Sequence, residues 1–216
     1  MSAHAFHKGN IMTANEYLKF IAEQIHSTVA ATVDSEGLPV TCVIDMMYAD
    51  ENGLYFLSAK GKNFYQRLKE RGYLALSGMK GTDTMHCTAV SVLGRVRETG
   101  ADMLPLLFEK NPYMLEIYPT AESRKALTVF QIYEGSGEWF DLSKKPIERD
   151  SFTFGGAACR AEGYFITDAC IGCGACLSDC PQSCIDLNGR AEIRQANCLH
   201  CGNCAAICPA GAVIRR

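Results

Sequence analysis

Eight cysteines toward the C-terminus have the side chains and the spacing to bind metal. Cys170, Cys173, Cys176 and Cys180 lie in CIGCGACLSDCP, and Cys198, Cys201, Cys204 and Cys208 lie in CLHCGNCAAICP, with Pro181 and Pro209 after each fourth cysteine. Every cysteine of the first run has a counterpart 28 positions later, so the segment is an internal duplication. The pattern C-x2-C-x2-C-x3-C-P is the one by which thiolates hold a [4Fe-4S] cube, the fourth cysteine of each run reaching the cube nucleated by the other. Three closely spaced cysteines can meet three irons from one tight turn, and a cysteine from a remote segment closes the fourth. One cluster is therefore expected on Cys170, Cys173, Cys176 and Cys208, and a second on Cys198, Cys201, Cys204 and Cys180. A zinc site usually shows two well separated cysteine pairs, and a disulfide framework belongs to a small secreted protein. Gly172, Gly174 and Gly202 suit the cluster reading, because a backbone amide that approaches sulfur closely needs a turn that glycine permits.

Four more cysteines, Cys42, Cys87, Cys159 and Cys184, lie outside the runs. Cys184 falls at the position equivalent to Ala212, which marks it as a small buried apolar residue rather than a ligand. The 216 residues are 48% hydrophobic and 21% charged, with a net charge of −3, and leave no electrostatic footprint for nucleic acid or an anionic membrane. The N-terminal MSAHAFHKGN lacks an apolar signal-type core, and no stretch reaches the ~18 apolar residues that would span a bilayer. The expectation is a soluble, cytoplasmic protein that partners neither nucleic acid nor membrane and keeps its cysteines reduced. His4 and His7 read as part of a mobile tail.

The chain ahead of the cysteine block is long enough for a core of its own. Thr13 followed by Glu16 makes a capping box, and Tyr17, Leu18, Ile21 and Ile25 recur on one face, so a helix is expected from Thr13 to about His26. Strands are expected at Thr28–Val33, Val40–Tyr48 and Leu54–Ser58, separated by Asp34-Ser35-Glu36-Gly37 and Asp50-Glu51-Asn52-Gly53 turns. The loop Lys60-Gly61-Lys62-Asn63 leads into a short helix through Leu68 that stops at Gly72. Further strands are expected at Tyr73–Met79, Met85–Arg97, Leu127–Tyr133 and Glu138–Leu142, with helix over Ala101–Tyr118 broken near Pro105 and Pro112. His86 beside Cys87 has the residue types of a nucleophile or metal site, but reads better as a packed strand histidine. Six or seven strands with one helix crossing after the third suggest an antiparallel barrel.

That order resembles the FMN-binding split-barrel proteins related to pyridoxamine 5′-phosphate oxidase, over about residues 12–145. The likeness is carried by Gly53-Leu54-Tyr55-Phe56-Leu57-Ser58-Ala59-Lys60-Gly61-Lys62-Asn63 with Leu68 beyond it, and by Gly94-Arg95-Val96. It implies that Ser58, Lys60, Lys62 and Asn63 grip the FMN phosphate and that Val43, Ile44 and Asp45 line the isoalloxazine ring. A phosphate dianion favours charge-assisted donors and the amides of a helix start, so these residue types fit. Phe64 stands where the family often has lysine, which leaves the charge to Lys60 and Lys62. The oxidase's closing segment for the pyridoxal ring is replaced by another sequence, so that activity does not carry over. From about Gly163 to Arg216 the chain is similar to the two-cluster bacterial ferredoxins.

The expected fold is mainly β plus α+β: a six- or seven-stranded antiparallel split barrel with flanking helices at 1–145, a linker at 146–162, and a small ferredoxin domain at 163–216. These resemblances imply an iron-sulfur flavoprotein oxidoreductase with two [4Fe-4S] clusters and FMN, passing electrons between the two and reducing a small organic substrate. They also imply a homodimer, served by an electron-donor protein such as a ferredoxin or a reductase in an anaerobe's cytoplasm. Trp139 reads as a core or interface anchor. Two other readings stand beside this one. The protein could be an electron-transfer protein without its own substrate, its barrel serving to dimerise or dock. It could also be a reductive detoxifier, since the same barrel occurs in nitroimidazole-resistance proteins.

Overall fold

The computed structural model describes residues 12–159 and 162–216; His4 and His7 lie outside them. The chain divides into two compact units. One takes the described residues up to Gly81 together with Ala89–Trp139 and Ser151–Ala158, and the other takes Thr82–Thr88, Phe140–Asp150 and the described residues of Cys159–Arg216.

The first unit begins with helix α1 (Ala14–Phe20), closed by the expected capping box: the Glu16 amide donates to Thr13 Oγ1 at 3.3 Å, and the Thr13 amide donates to the Glu16 carboxylate at 2.6 Å. The expected helix does not run regularly to His26. It widens into a π-helical turn, Ile21–Ile25, and ends at His26 with φ at +62°. Strands β1 (Ser27–Val33) and β2 (Pro39–Asp45) then form a hairpin paired from Ser27 opposite Asp45 to Val33 opposite Pro39. Asp34 shapes its turn by accepting the amides of Glu36 and Leu38. The chain continues through β3 (Tyr48–Asp50), β4 (Gly53–Ala59), α2 (Asn63–Arg71), β5 (Tyr73–Gly81), β6 (Cys87–Gly100), α3 (Leu104–Lys110), α4 (Met114–Ile117), α5 (Ala121–Arg124), β7 (Leu127–Asp141) and β8 (Glu148–Phe154). The sheet order is β2-β1-β5-β6-β7-β4-β3, with β8 also on β7, which gives a barrel-like antiparallel sheet of eight strands.

Two departures from the expected strands have physical causes. The Gly135 and Gly137 region reads as a break but lies inside continuous β7. A Cβ on Gly135 would lie 2.3 Å from the Leu93 carbonyl oxygen, and one on Gly137 would lie 2.3 Å from the Phe152 ring, so these glycines admit close neighbours rather than a turn. The stretch expected as a linker contains β8, whose Phe152 and Phe154 are buried in the core. Strand β4 is buried on both faces because Leu54 and Phe56 enter the main core while Tyr55 and Leu57 pack with Leu107, Phe108 and Met114.

The second unit keeps the duplication visible. It holds β9 (Tyr164–Ile166), α6 (Ala175–Ser178), β10 (Ile185–Asn188), β11 (Arg190–Ile193), α7 (Asn203–Ile207) and β12 (Val213–Arg215), with β9 paired to β12 and β10 to β11. Both short helices start after a left-handed glycine, Gly174 at φ +75° and Gly202 at φ +85°. Among the described residues no helix is long and apolar enough to cross a membrane.

Candidate functional site

The eight cysteines of the two runs are gathered around two cavities. Cys170, Cys173, Cys176 and Cys208 line one, shared with the apolar side chains of Ile166 and Val213. Cys180, Cys198, Cys201 and Cys204 line the other, shared with Cys184, Ile185 and Ile193. Of the run cysteines in each, three come from one run and the fourth from the other. The first loop reaches this shape because Gly172 adopts φ +69° and passes the Gly189 carbonyl so closely that a Cβ would lie 2.2 Å from its oxygen. Helices α6 and α7 then turn Cys176 and Cys204 inward, and both are buried. Among the described residues no three His, Cys, Asp or Glu side chains close on one point as ligands of a single ion would.

Backbone amides point at the sulfurs in matched pairs. The Cys184 amide donates to Cys180 Sγ at 3.4 Å, and the equivalent Ala212 amide donates to Cys208 Sγ at 3.3 Å. The His200 amide donates to Cys198 Sγ at 3.4 Å, and the amides of Ala191 and Gly172 hold the Cys170 thiol below its ordinary value. Burial pushes the Cys180 thiol up, but the amides of Cys184 and Gln182 outweigh it and the net direction is down. Burial prevails at Cys176, Cys198 and Cys204, whose thiols are pushed up. These sites oppose bare thiolates. Cys184 is 2% exposed, as an apolar residue would be, yet its sulfur lies 3.5 Å from Cys180 Sγ. Burial, then Cys180, pushes the Cys184 thiol up to about 12.

In the first unit, Ser58 lies buried near the end of β4, its hydroxyl donating a long 3.4 Å bond to the Ala59 carbonyl. Lys60, Lys62 and Asn63 are exposed. The loop is fixed by its main chain: the Lys60 amide donates to the Ala126 carbonyl at 2.9 Å and the Lys62 amide to the Ala59 carbonyl at 3.1 Å. Lys62 is the N-cap of α2 and makes no side-chain cap bond, and the first turn holds no acidic residue, which leaves a helix start suited to an anion. Strand β2 lies within reach of this charge. Burial pushes the Cys42 thiol up, opposed by the charges of Arg67 and Lys62. Val43 is 69% exposed, and Ile44 packs partly against the core.

The Asp45 side chain is engaged with residues the sequence did not point to. It accepts from Ser27 Oγ at 2.7 Å and from the Tyr113 hydroxyl at 2.7 Å, and His26 Nε2 lies 3.4 Å away. His26 also reaches the Tyr113 hydroxyl at 3.0 Å. Residues 26 and 113 share no spacing that would reveal this cluster. The π-turn that delivers His26 is likewise unmarked in the sequence. His86 is not a packed strand histidine: it lies in an exposed 3₁₀ turn, Thr84–His86, bonded to Asp83 at 2.9 Å, while the Cys87 thiol donates to the Thr84 carbonyl. The turn precedes the strand because Asp83 caps it by accepting the Met85 amide. Trp139 is a core residue beside Tyr17, with ring centroids 6.1 Å apart, and its indole N–H has no acceptor among the described residues.

A comparison with curated proteins found no match. Among solved structures, a NimC/NimA family protein from Clostridium acetobutylicum superposes with a TM-score of 0.55 at 14% identity, covering 66% of this chain and 95% of that one. A heme binding protein from Mycobacterium smegmatis gives 0.52 at 14% identity, covering 66% of this chain and 58% of that one. A Clostridium acetobutylicum protein of the pyridoxinephosphate oxidase family, related to general stress protein 26, gives 0.48 at 14% identity, covering 64% and 94%. At such identities the likeness concerns fold, and it bears out a mainly β, barrel-like N-terminal domain. Residues 169–212 match the model of the 4Fe-4S dicluster domain, so this chain joins a barrel-like domain to a ferredoxin-type dicluster domain.

Proposed function

We propose that this protein is an iron-sulfur flavoprotein oxidoreductase that passes electrons between two [4Fe-4S] clusters and an FMN and reduces a small organic substrate. One observation carries the reading: the eight cysteines sort into two similar cavities, each with three sulfurs from one run and the fourth from the other. Cys170, Cys173, Cys176 and Cys208 hold one cluster, and Cys198, Cys201, Cys204 and Cys180 the other. When bound, the clusters supply single electrons and FMN supplies one- or two-electron chemistry. The chain's own part is to hold and tune them. Amides aimed at Cys170, Cys180, Cys198 and Cys208 stabilise negative charge on the sulfurs, and the apolar walls limit water.

The residues of the first unit fit a flavin phosphate. Lys60 and Lys62 flank an uncapped helix start without a nearby acid in its first turn, Asn63 opens that turn, and the Ser58 hydroxyl makes only a long bond of its own among those described. Val43, Ile44 and Asp45 would line the ring with their main chain, since the Asp45 carboxylate is held by Ser27 and Tyr113. The exposed Val29, Val33 and Val43 of the β1–β2 hairpin suit a second copy of the chain, and so support a homodimer. The same face supports a second reading, in which the barrel is the dimerisation or docking module of an electron carrier. An electron-donor protein, a ferredoxin or a reductase, serves either reading.

Iron, sulfide and released flavin measured on anaerobically purified protein test this. About eight irons and one FMN per chain are expected from two four-iron clusters and a flavin site. Eight irons without flavin select the second reading, and a chain without iron-sulfur clusters overturns both.

A further inference from the structure

The two cluster cavities are alike in most respects that set a reduction potential. Each is lined by run cysteines and apolar side chains, and each fourth cysteine accepts the amide four residues on. Each third-from-start position supplies an amide to the first cysteine, Gly172 in one half and His200 in the other. An arginine paired with an aspartate belongs to each side, Arg190 with Asp168 and Arg194 with Asp186. The main chain adds unmatched amides on each side, Ala191 at Cys170 and Gln182 at Cys180. Among buried side chains beside the ligand sulfurs the duplication breaks at one pair: Cys184 carries a thiol where Ala212 carries a methyl, and both are almost fully buried, at 2% and 1% exposure. The Cys184 sulfur lies 3.5 Å from Cys180 Sγ.

We infer that the Cys184 thiol donates a hydrogen bond to the Cys180 ligand sulfur and gives the cluster on Cys180, Cys198, Cys201 and Cys204 a higher reduction potential than its twin. This rests on the cluster reading above. Ligand sulfurs are thiolates and can only accept, so the S–H hydrogen is the one the pair has to share. A donor to a ligand sulfur stabilises the more negative, reduced cluster and raises its potential. Ala212 offers its cavity no such donor. An electron entering the dicluster unit therefore settles preferentially on the Cys180 side, which orders the two clusters into an upstream and a downstream partner. Cys184 is a positioning residue for charge and not a ligand.

The test is a potentiometric titration followed by electron paramagnetic resonance on full-length protein, after iron analysis. Wild type is expected to show two waves. Cys184→Ala should lower the higher wave and shrink the preference by about tenfold, which for one electron is about 59 mV. Cys184→Ser, which keeps a hydroxyl donor, should retain most of the gap, and Ala212→Cys should raise the lower wave. Eight irons with the two waves unmoved by Cys184→Ala and Ala212→Cys overturn the inference alone, whereas wild-type protein without two clusters overturns it together with the cluster reading. Should Cys184→Ala lose its cluster, Ala212→Cys leaves Cys184 in place and decides the matter by itself.

Discussion

Four of the seven buried residues in the second unit's core are cysteines, Cys176, Cys184, Cys198 and Cys204, joined by Ile185, Ala191 and Ile193. The first unit is centred instead on Tyr17, Phe56, Phe130, Leu54 and Ile132, all almost fully buried, with Trp139 and Phe152 around them. A unit with so little apolar surface to bury cannot offset its chain entropy by the hydrophobic effect alone. Three of its four core cysteines are expected metal ligands, so binding free energy takes the place of a core and becomes folding free energy. The barrel unit holds itself, and the cofactor site proposed for it is a loop added at a helix start. Site and fold are one object in the first case and separable in the second.

Removing iron gives the largest effect expected from this difference. After anaerobic chelation, amide exchange should become fast through β10, β11 and the helices α6 and α7, while β1, β4 and β7 stay protected. Persistent protection of β10 and β11 in iron-free protein would break the comparison. Cys208→Ser comes next. It should remove about four of the eight irons, those of the Cys170, Cys173 and Cys176 cluster, and leave the cluster of its own sequence neighbours intact. Loss of the neighbours' cluster instead, read by spectroscopy and iron content, would refute the crossed ligation. Because Ala212 stands where the other side has Cys184, no spare thiol among the described residues lining that cavity stands by to replace Cys208.

Exchange of Lys60 and Lys62 for alanine tests the separable site. FMN should bind about tenfold to a hundredfold more weakly, as expected for losing charge-assisted bonds to a phosphate. The melting of the barrel should be nearly unchanged, because both side chains are exposed. Unaltered flavin retention would remove the loop from the site.

Local signals carried through to structure where a residue acts on its neighbours. The Thr13 and Glu16 box, the Asp34 turn and the Gly72 stop at φ +61° all formed as their spacing implied. The cysteine runs are legible for the same reason, since a cube fixes the distance between its ligands. Long-range packing was not legible. Gly135 and Gly137 look like punctuation until Leu93 and Phe152 are seen pressing against them, and β8 has no turn signal separating it from a linker. His26, Tyr113 and Asp45 meet through a π-turn and a helix pair from distant parts of the chain, which no period reveals. His86 stands outside the strand because the Asp83 cap competes with strand extension at that point, a competition its spacing does not reveal.

Acid should separate the two units by different chemistry, with the smallest effect on the barrel. Burial raises the Asp45 carboxyl, but the hydroxyls of Ser27 and Tyr113 and the His26 ring outweigh it, so its folded value lies below the ordinary carboxylate range. A depressed carboxyl contributes stability that is complete above its unfolded value of about 4 and is lost as pH falls through the folded value. Asp45→Asn should therefore cost a little stability at neutral pH and flatten the acid limb of the barrel's denaturant midpoint, followed by Trp139 fluorescence. An acid limb as steep as wild type would assign the dependence to other groups. In the second unit protons compete with iron for every thiolate, so cluster absorbance should fade before the barrel's midpoint moves. A barrel that unfolds first on acidification would mean that its stability, and not that of the dicluster unit, depends on its charged groups.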